Sequence, residues 1–191
     1  IERIERDGAY ANLALGAALD RSGLSDVDRR LVTELVYGTI RRRRSCDHLV
    51  DRFLSNAPPP AARAALRMGA YQLAFTEVPP YAAVGATVEA TPKRFRGLVN
   101  AVLRRVSGGL DSVEWPDEPT RLSYPDWIVE RLVGDLGEAD ALAACEAMNV
   151  APTVTVRDDG YTQDEASQWV AEAVGAGPGD VVADVCAAPG G

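Results

Sequence analysis

Apolar residues recur every three to five positions through much of the first 106 residues, the spacing expected of helices with one buried face. The stretch that follows Ser25 is an example, because Ser25 is a suitable N-cap residue. Its apolar positions fall on one side of the predicted helix: Leu31, Val32, Leu35, Val36 and Ile40. This stripe predicts one face of a helical core.

Prolines mark the starts of two further helices, in "PPPAARAALRMGAYQLAF" and "VPPYAAVGATVEA", since proline is tolerated in the first helical turn. The first of these has an apolar stripe of Leu66, Met68, Ala70 and Leu73. In "FRGLVNAVLRRV" the stripe is Leu98, Val99, Val102 and Val106, with the arginines off that face. Shorter helices over 9–19 and 47–54 complete a set of six, enough for a compact all-α bundle.

The second part of the chain has a different pattern. Residues 107–123 are rich in Gly, Pro and acidic residues and lack periodicity, so they predict a linker. Two helices broken near 134–137 follow, then a strand over 153–157, a helix in "YTQDEASQWVAEAV" and a strand over 181–185. This order is typical of the start of an α/β domain. We therefore predict a helical bundle over 1–106, a linker over 107–123 and part of an α/β domain over 124–191.

The composition is that of a globular protein, with 47% hydrophobic residues. No apolar run approaches the ~18 residues of a membrane span, and no secretory signal pattern opens the sequence, so we expect no membrane association. Cys46, Cys145 and Cys186 are far apart and odd in number, which fits neither a disulfide framework nor a paired-cysteine metal site. A reducing cytoplasm is the expected compartment.

The net charge of −8 conceals two parts of opposite sign. Residues 1–110 contain 17 Lys and Arg against 11 Asp and Glu, a net of +6. Residues 111–191 contain 3 against 17, a net of −14. A basic first part suggests a polyanionic partner, although arginines also commonly serve only to solvate helix faces.

Three basic clusters are candidate phosphate contacts: Arg41, Arg42, Arg43 and Arg44; Lys93, Arg94 and Arg96; and Arg104 with Arg105. The macrodipole also favours cations at a helix C-terminus, so the four-arginine run has a structural explanation of equal weight. His48 has no set of metal-ligating neighbours in the sequence, and a half-buried or surface role is expected for it. Cys46 is expected to be inert. No catalytic Ser/His/Asp or Cys/His pair is apparent.

Several segments occur in an order that resembles the RsmB (Sun/Fmu) type of bacterial ribosomal RNA cytosine-C5 methyltransferase. They are "GAYANLAL", "DRRLVTELVYGTIRRR", "ALRMGAYQLAF", "GLVNAVLRR", "YPDWIVERL", "QDEAS" and "DVCAAPGG". The resemblance implies a helical domain similar to the RNA-binding domain of the antitermination factor NusB. It also implies a Rossmann-like methyltransferase domain, S-adenosylmethionine as cofactor and ribosomal RNA as partner.

In that family the segment "DVCAAPGG" is the first cofactor motif, which places the cofactor turn at Asp184, Cys186, Ala187, Ala188, Pro189, Gly190 and Gly191. Gly190 and Gly191 would let the backbone approach the cofactor closely, and Asp184 would orient it or else cap the turn. By this resemblance Cys186 forms a wall of the cofactor pocket. The catalytic thiolate, which adds to cytosine C6 so that C5 can take the methyl group, is expected beyond Gly191.

The sequence departs from the family pattern in length. Only "DDGYT" separates the predicted strand over 153–157 from "QDEAS", where the family has several dozen residues, and shorter deficits are suspected near 56–57 and 90–91. We therefore expect these 191 residues to be an incomplete portion without activity of its own. The alternative is an RNA- or protein-binding adaptor similar to NusB, without catalysis.

Overall fold

The computed structural model describes residues 1, 2, 4, 8–150 and 153–185 of the chain. The chain divides into two compact units, Ile1–Asn149 and Val150–Gly191. The described residues contain helices and turns, with one isolated antiparallel bridge between Val156 and Thr162. The helical bundle is therefore as expected, whereas the α/β part is not seen in these ranges.

The first unit contains nine helices that we number in chain order within the described residues. They are α1 (Ala11–Asp20), α2 (Asp26–Arg41), α3 (Arg43–Asp51), α4 (Pro60–Phe75), α5 (Pro80–Ala90), α6 (Arg96–Gly108), α7 (Glu118–Leu122), α8 (Asp126–Leu136) and α9 (Glu138–Met148). Single 3₁₀ turns at Lys93–Phe95 and Leu110–Ser112 precede and follow α6.

Local sequence explains where several helices begin and end. The Ser25 hydroxyl accepts a hydrogen bond of 3.2 Å from the amide of Asp28, which caps α2 as the sequence predicts. Pro60 and Pro80 begin α4 and α5 at the position where a missing N–H costs nothing. Gly137 has a φ of 83°, so the chain turns there between α8 and α9.

Helix α4 is the centre of the bundle and packs against α2, α3, α5 and α6. Its Leu66, Ala70 and Leu73 are buried as predicted. The approach to α6 is closest at Gly69, where a Cβ atom would overlap the side chain of Leu103. A residue without a side chain is therefore required at this crossing.

Two predicted core positions are wrong. Leu31 is 51% exposed, because the core receives the C-terminal end of α2 at Gly38 and Thr39 and not its first turns. Leu98 is 38% exposed, whereas Val99 and Leu103 on α6 are fully buried. The buried stripe of α6 is Val99, Val102, Leu103 and Val106.

The segment 107–123, expected to be a linker, is folded onto the bundle in this structure. Helix α7 lies within it, and Thr120 and Leu122 are buried. The Asp117 carboxylate caps α7 by accepting a hydrogen bond of 2.6 Å from the Thr120 amide, and the bonds from Thr120 lower the pKa of Asp117. The boundary between the two compact units falls after Asn149, so the segment 107–123 lies within the first unit. This segment is folded although its sequence lacks apolar periodicity.

Arg44, at the start of α3, holds this segment. Its backbone amide donates to the Ser123 hydroxyl at 3.0 Å, and its side chain donates to Thr120 Oγ1 at 2.9 Å and to the Tyr124 carbonyl at 2.9 Å. The guanidinium also forms an ion pair of 2.7 Å with Asp126. Because charged hydrogen bonds to partly buried partners are among the stronger polar contacts, Arg44 fixes the position of the chain between α7 and α8.

The second unit has a short helix, α10 (Glu165–Ala173), capped by the Asp164 side chain. The predicted strand over 153–157 contributes only the bridge at Val156. The predicted strand over 181–185 is wrong for this structure, in which these residues are irregular and Val181 is fully exposed. A parallel strand needs hydrogen-bonded neighbours, and the described residues offer it none.

We expect Gly69→Ala to lower the free energy of unfolding by about 1–3 kcal/mol, because the new methyl group overlaps the buried Leu103. Gly85→Ala is the matched control, since a Cβ there meets no atom within 4 Å and the helix gains up to about 1 kcal/mol in propensity. Urea denaturation followed by circular dichroism measures both. Equal effects of the two substitutions would contradict the close α4–α6 contact.

Arg44→Ala is expected to lower the free energy of unfolding by about 1–3 kcal/mol, because the side chain loses three polar partners on the segment Thr120–Asp126. Arg43→Ala, at the exposed neighbouring position, is expected to change it by less than about 0.5 kcal/mol. Denaturant melts of both variants test this difference. A small effect of Arg44→Ala would show that the contacts contribute little.

Candidate nucleic-acid interface

The first basic cluster lies at the junction of α2 and α3. Arg41 ends α2, whereas Arg43 and Arg44 begin α3, where the macrodipole disfavours positive charge. The dipole therefore accounts for Arg41 alone. Arg42 lies over the Phe75 ring at 4.7 Å, and burial lowers the pKa of its guanidinium. Of this cluster, Arg43 is exposed, while Arg42 and Arg44 have structural contacts.

The second cluster lies in the connection between α5 and α6. Arg96 caps the C-terminal end of α5, donating to the Thr91 carbonyl at 2.9 Å and to the Glu89 carbonyl at 2.7 Å. Arg94 lies over the Phe95 ring at 4.6 Å, and both Arg94 and Lys93 are exposed. Lys93 and Arg94 are therefore accessible to a polyanion, while Arg96 also stabilises the fold.

The third cluster lies towards the end of α6. Arg104 Nε donates to Asn100 Oδ1 at 3.1 Å, and both Arg104 and Arg105 are exposed. Arg105 lies over the Phe53 ring at 4.7 Å, and Arg52 lies over the same ring at 5.1 Å. Sequence reasoning did not find Arg52, because a single arginine within the predicted helix over 47–54 carries no signal of its own.

The second and third clusters belong to one helical hairpin formed by α5 and α6, which pack on each other. An open groove of about 330 Å³ runs between these helices and includes Arg104 in its wall. Among the residues that the structure describes, no hydrogen bond, ion pair or ring contact joins the first cluster to this hairpin. Five of the nine candidate RNA-binding residues, those of the second and third clusters, therefore lie on one helical hairpin.

His48 and the two described cysteines have structural positions. His48 Nε2 lies 2.9 Å from the Glu114 carbonyl, and its ring lies 5.1 Å from that of Trp115. Cys46 and Cys145 are free and fully buried, and burial raises the pKa of both thiols. A buried thiol with a raised pKa is a poor nucleophile.

Most of the candidate cofactor turn cannot be located in this structure. The candidate cofactor residues Cys186, Ala187, Ala188, Pro189, Gly190 and Gly191 lie outside the described residues. Asp184 is described and is exposed in the irregular segment 181–185, so no pocket is assigned to it. Within the described ranges, no three His, Cys, Asp or Glu side chains are placed to hold a metal ion, and no helix has the length and apolarity to cross a membrane.

The chain is similar to proteins named ribosomal RNA small subunit methyltransferase B. One from Bacillus subtilis, whose name is given as a probable ribosomal RNA small subunit methyltransferase B, is 30% identical over 95% of this chain and 44% of its own length. One from Thermus thermophilus is 41% identical over 69% of this chain and 33% of its own length. One from Synechocystis sp., also named as probable, is 29% identical over 98% of this chain and 56% of its own length.

The chain thus spans between a third and just over half of the length of these relatives. The match to the Synechocystis protein extends over 252 residues, although this chain has only 191. The relative therefore has segments within the aligned range that have no counterpart in this chain.

The helical bundle itself matches a family model. The match is to the NusB family and covers residues 1–108, from the start of the chain to the end of α6. It contains the five helices that form the core around α4 and all three basic clusters. Since it also covers more than half of the chain, the protein belongs to the NusB family.

Proposed function

We propose that this chain is part of an S-adenosylmethionine-dependent methyltransferase that forms 5-methylcytosine in small-subunit ribosomal RNA. In this proposal residues 1–106 bind the RNA and residues 124–191 begin the catalytic domain. The observation that carries it is the joint similarity to the NusB family and to proteins named as ribosomal RNA methyltransferases. The free thiols Cys46 and Cys145 are compatible with the reducing cytoplasm in which such an enzyme works.

RNA binding by the bundle is supported by the side chains left accessible on it. Lys93, Arg94 and Arg104 are exposed on the α5–α6 hairpin, and Arg43 is exposed at the α2–α3 junction. Exposed cations on a helical surface bind a phosphate backbone by displacing its counterions. Arg44 and Arg96 have bonds within the bundle that a phosphate would have to compete with, so they contribute less to the proposed interface.

Methyl transfer to cytosine C5 needs a nucleophile, because C5 alone is not reactive enough to attack a methylsulfonium. A thiolate adds to C6, C5 takes the methyl group, and loss of the C5 proton then expels the sulfur. Cys46 and Cys145 are unsuited to this role because they are buried. The third cysteine, Cys186, is assigned by the family resemblance to the wall of the cofactor pocket, so we propose that a polypeptide of these 191 residues alone does not methylate RNA.

The cofactor is proposed to bind at the turn formed by Asp184 and residues 186–191. The support is the motif "DVCAAPGG", in which glycines permit a close approach of the backbone. S-adenosylmethionine would supply the methyl group. The irregular, exposed backbone at 181–185 supports weak or no binding by this polypeptide in isolation.

RNA binding is tested by reversing the accessible charges of the hairpin with Lys93→Glu and Arg94→Glu together. We expect weaker binding to small-subunit ribosomal RNA and a shallower dependence of log K on log salt, by about 0.7–0.9 for each lost phosphate contact. Filter binding at several salt concentrations gives both quantities. Arg131→Glu is the control, because Arg131 is an exposed arginine of α8 that pairs with Asp135 at 2.8 Å. Equal effects of the two changes would contradict a specific basic surface.

Catalysis is tested by titrating S-adenosylmethionine calorimetrically into the 191-residue polypeptide and into a longer gene product that contains it. We expect binding, and transfer of a labelled methyl group to cytosine C5 of small-subunit ribosomal RNA, only with the longer product. Methyl transfer by the 191 residues would overturn the proposed inactivity. A longer product that binds RNA without methylating it would favour the adaptor function.

A further inference from the structure

The groove between α5 and α6 combines an exposed aromatic ring with positive charge. Its walls contain Pro80, Tyr81, Val84, Gly85 and Val88 from α5, and Asn100, Arg104 and Ser107 from α6. Tyr81 is 82% exposed, although large aromatic side chains in this bundle are otherwise mostly packed. An aromatic ring held at the mouth of a groove offers a flat surface to a planar ligand.

The shape of the groove follows from helical spacing. On α5, positions 81, 84, 85 and 88 fall on one face, and on α6 positions 100, 104 and 107 do the same. From Tyr81 to Val88 the groove is about 10 Å long at 1.5 Å per residue. Gly85 keeps it open, because no atom lies within 4 Å of the place where its Cβ would be.

The charge of the hairpin favours an anionic ligand. Residues 80–108 contain five basic residues and a single acidic one, Glu89. Lys93 and Arg94 lie in the connection at one end of the hairpin, and Arg104 lies near Tyr81 at the other. Only Nε of Arg104 makes a hydrogen bond to a described residue, so its remaining N–H groups are available to a ligand.

We infer that this groove binds an unpaired segment of RNA, with one base stacked on Tyr81 and the flanking phosphates near Arg104 and near Lys93 with Arg94. This inference rests on the proposed RNA-binding function and specifies the form of RNA that the bundle takes. Bases within a duplex stack on one another and cannot offer a face to Tyr81, whereas unpaired bases can. The accessible ring therefore selects single-stranded RNA over a duplex.

The test is fluorescence anisotropy with the full 191-residue chain and two labelled probes, a single-stranded oligoadenylate and an RNA duplex of the same length, about 12 nucleotides. We expect tighter binding of the single strand. Tyr81→Ala should weaken its binding about 5- to 100-fold without changing the salt dependence, because a base contact and not a phosphate contact is lost. Tyr81→Phe should keep the affinity within about twofold, since the stacking face remains.

Gly85→Leu gives an independent result. Its side chain should fill the groove and weaken single-strand binding while leaving the melting temperature unchanged or higher, because leucine has a higher helix propensity than glycine. Unchanged affinity in both Tyr81→Ala and Gly85→Leu would overturn the groove as a binding site. If the Lys93 and Arg94 reversal still weakened binding in that case, the proposed RNA function would remain. Failure of the unaltered chain to bind either probe would overturn this inference, whereas binding to small-subunit ribosomal RNA in the filter assay would still support the proposed function.

Discussion

The packing of α4 among α2, α3, α5 and α6 is the constraint on which the bundle depends. Its small residues let the neighbouring helices approach, and three of its polar side chains reach three different neighbours. The Arg67 side chain pairs with Asp47 of α3 at 2.6 Å, the Tyr71 hydroxyl bonds to Glu34 of α2, and Gln72 donates to Thr87 of α5 at 3.0 Å. Because an unpaired polar group in this position would cost about 1–3 kcal/mol, these bonds specify which helix lies where around α4.

The uneven charge of the chain is partly neutralised inside the first unit. Arg44 is bonded to carboxylates of the acidic part, and Arg121 pairs with Glu146 at 2.7 Å. The net charge of a sequence segment therefore overstates the charge that it presents to a partner. The positive charge that remains for a polyanion includes that of the α5–α6 hairpin, which has five basic residues and a single acidic one.

The helical bundle could be predicted from the sequence because its signals are local. A capping serine, helix-starting prolines and apolar stripes act within a few residues, and the structure confirms Ser25, Pro60 and Pro80 in these roles. The fold of 107–123 could not be predicted, since it depends on contacts with residues 66 to 79 positions earlier, namely His48 and Arg44. For the same reason, a run of four arginines gave no sign that Arg43 and Arg44 differ. The cofactor turn stays a prediction, and Tyr81 was missed because one tyrosine in a helix does not reveal its exposure.

The contacts of Arg44 have a consequence for the order in which the chain folds during synthesis. They join residues separated by 76 to 82 positions, whereas the side-chain bonds that cap α2, α5, α7 and α10 span two to seven. The α3–α6 core can form as soon as residue 108 has left the ribosome, but Arg44 has no carboxylate partner on α8 until Asp126 follows it. For that interval Arg44, like the exposed Arg43, is available to solvent and to nascent or ribosomal RNA, whereas Arg42 already lies over the Phe75 ring. The mature surface is therefore less basic than the surface of the nascent domain.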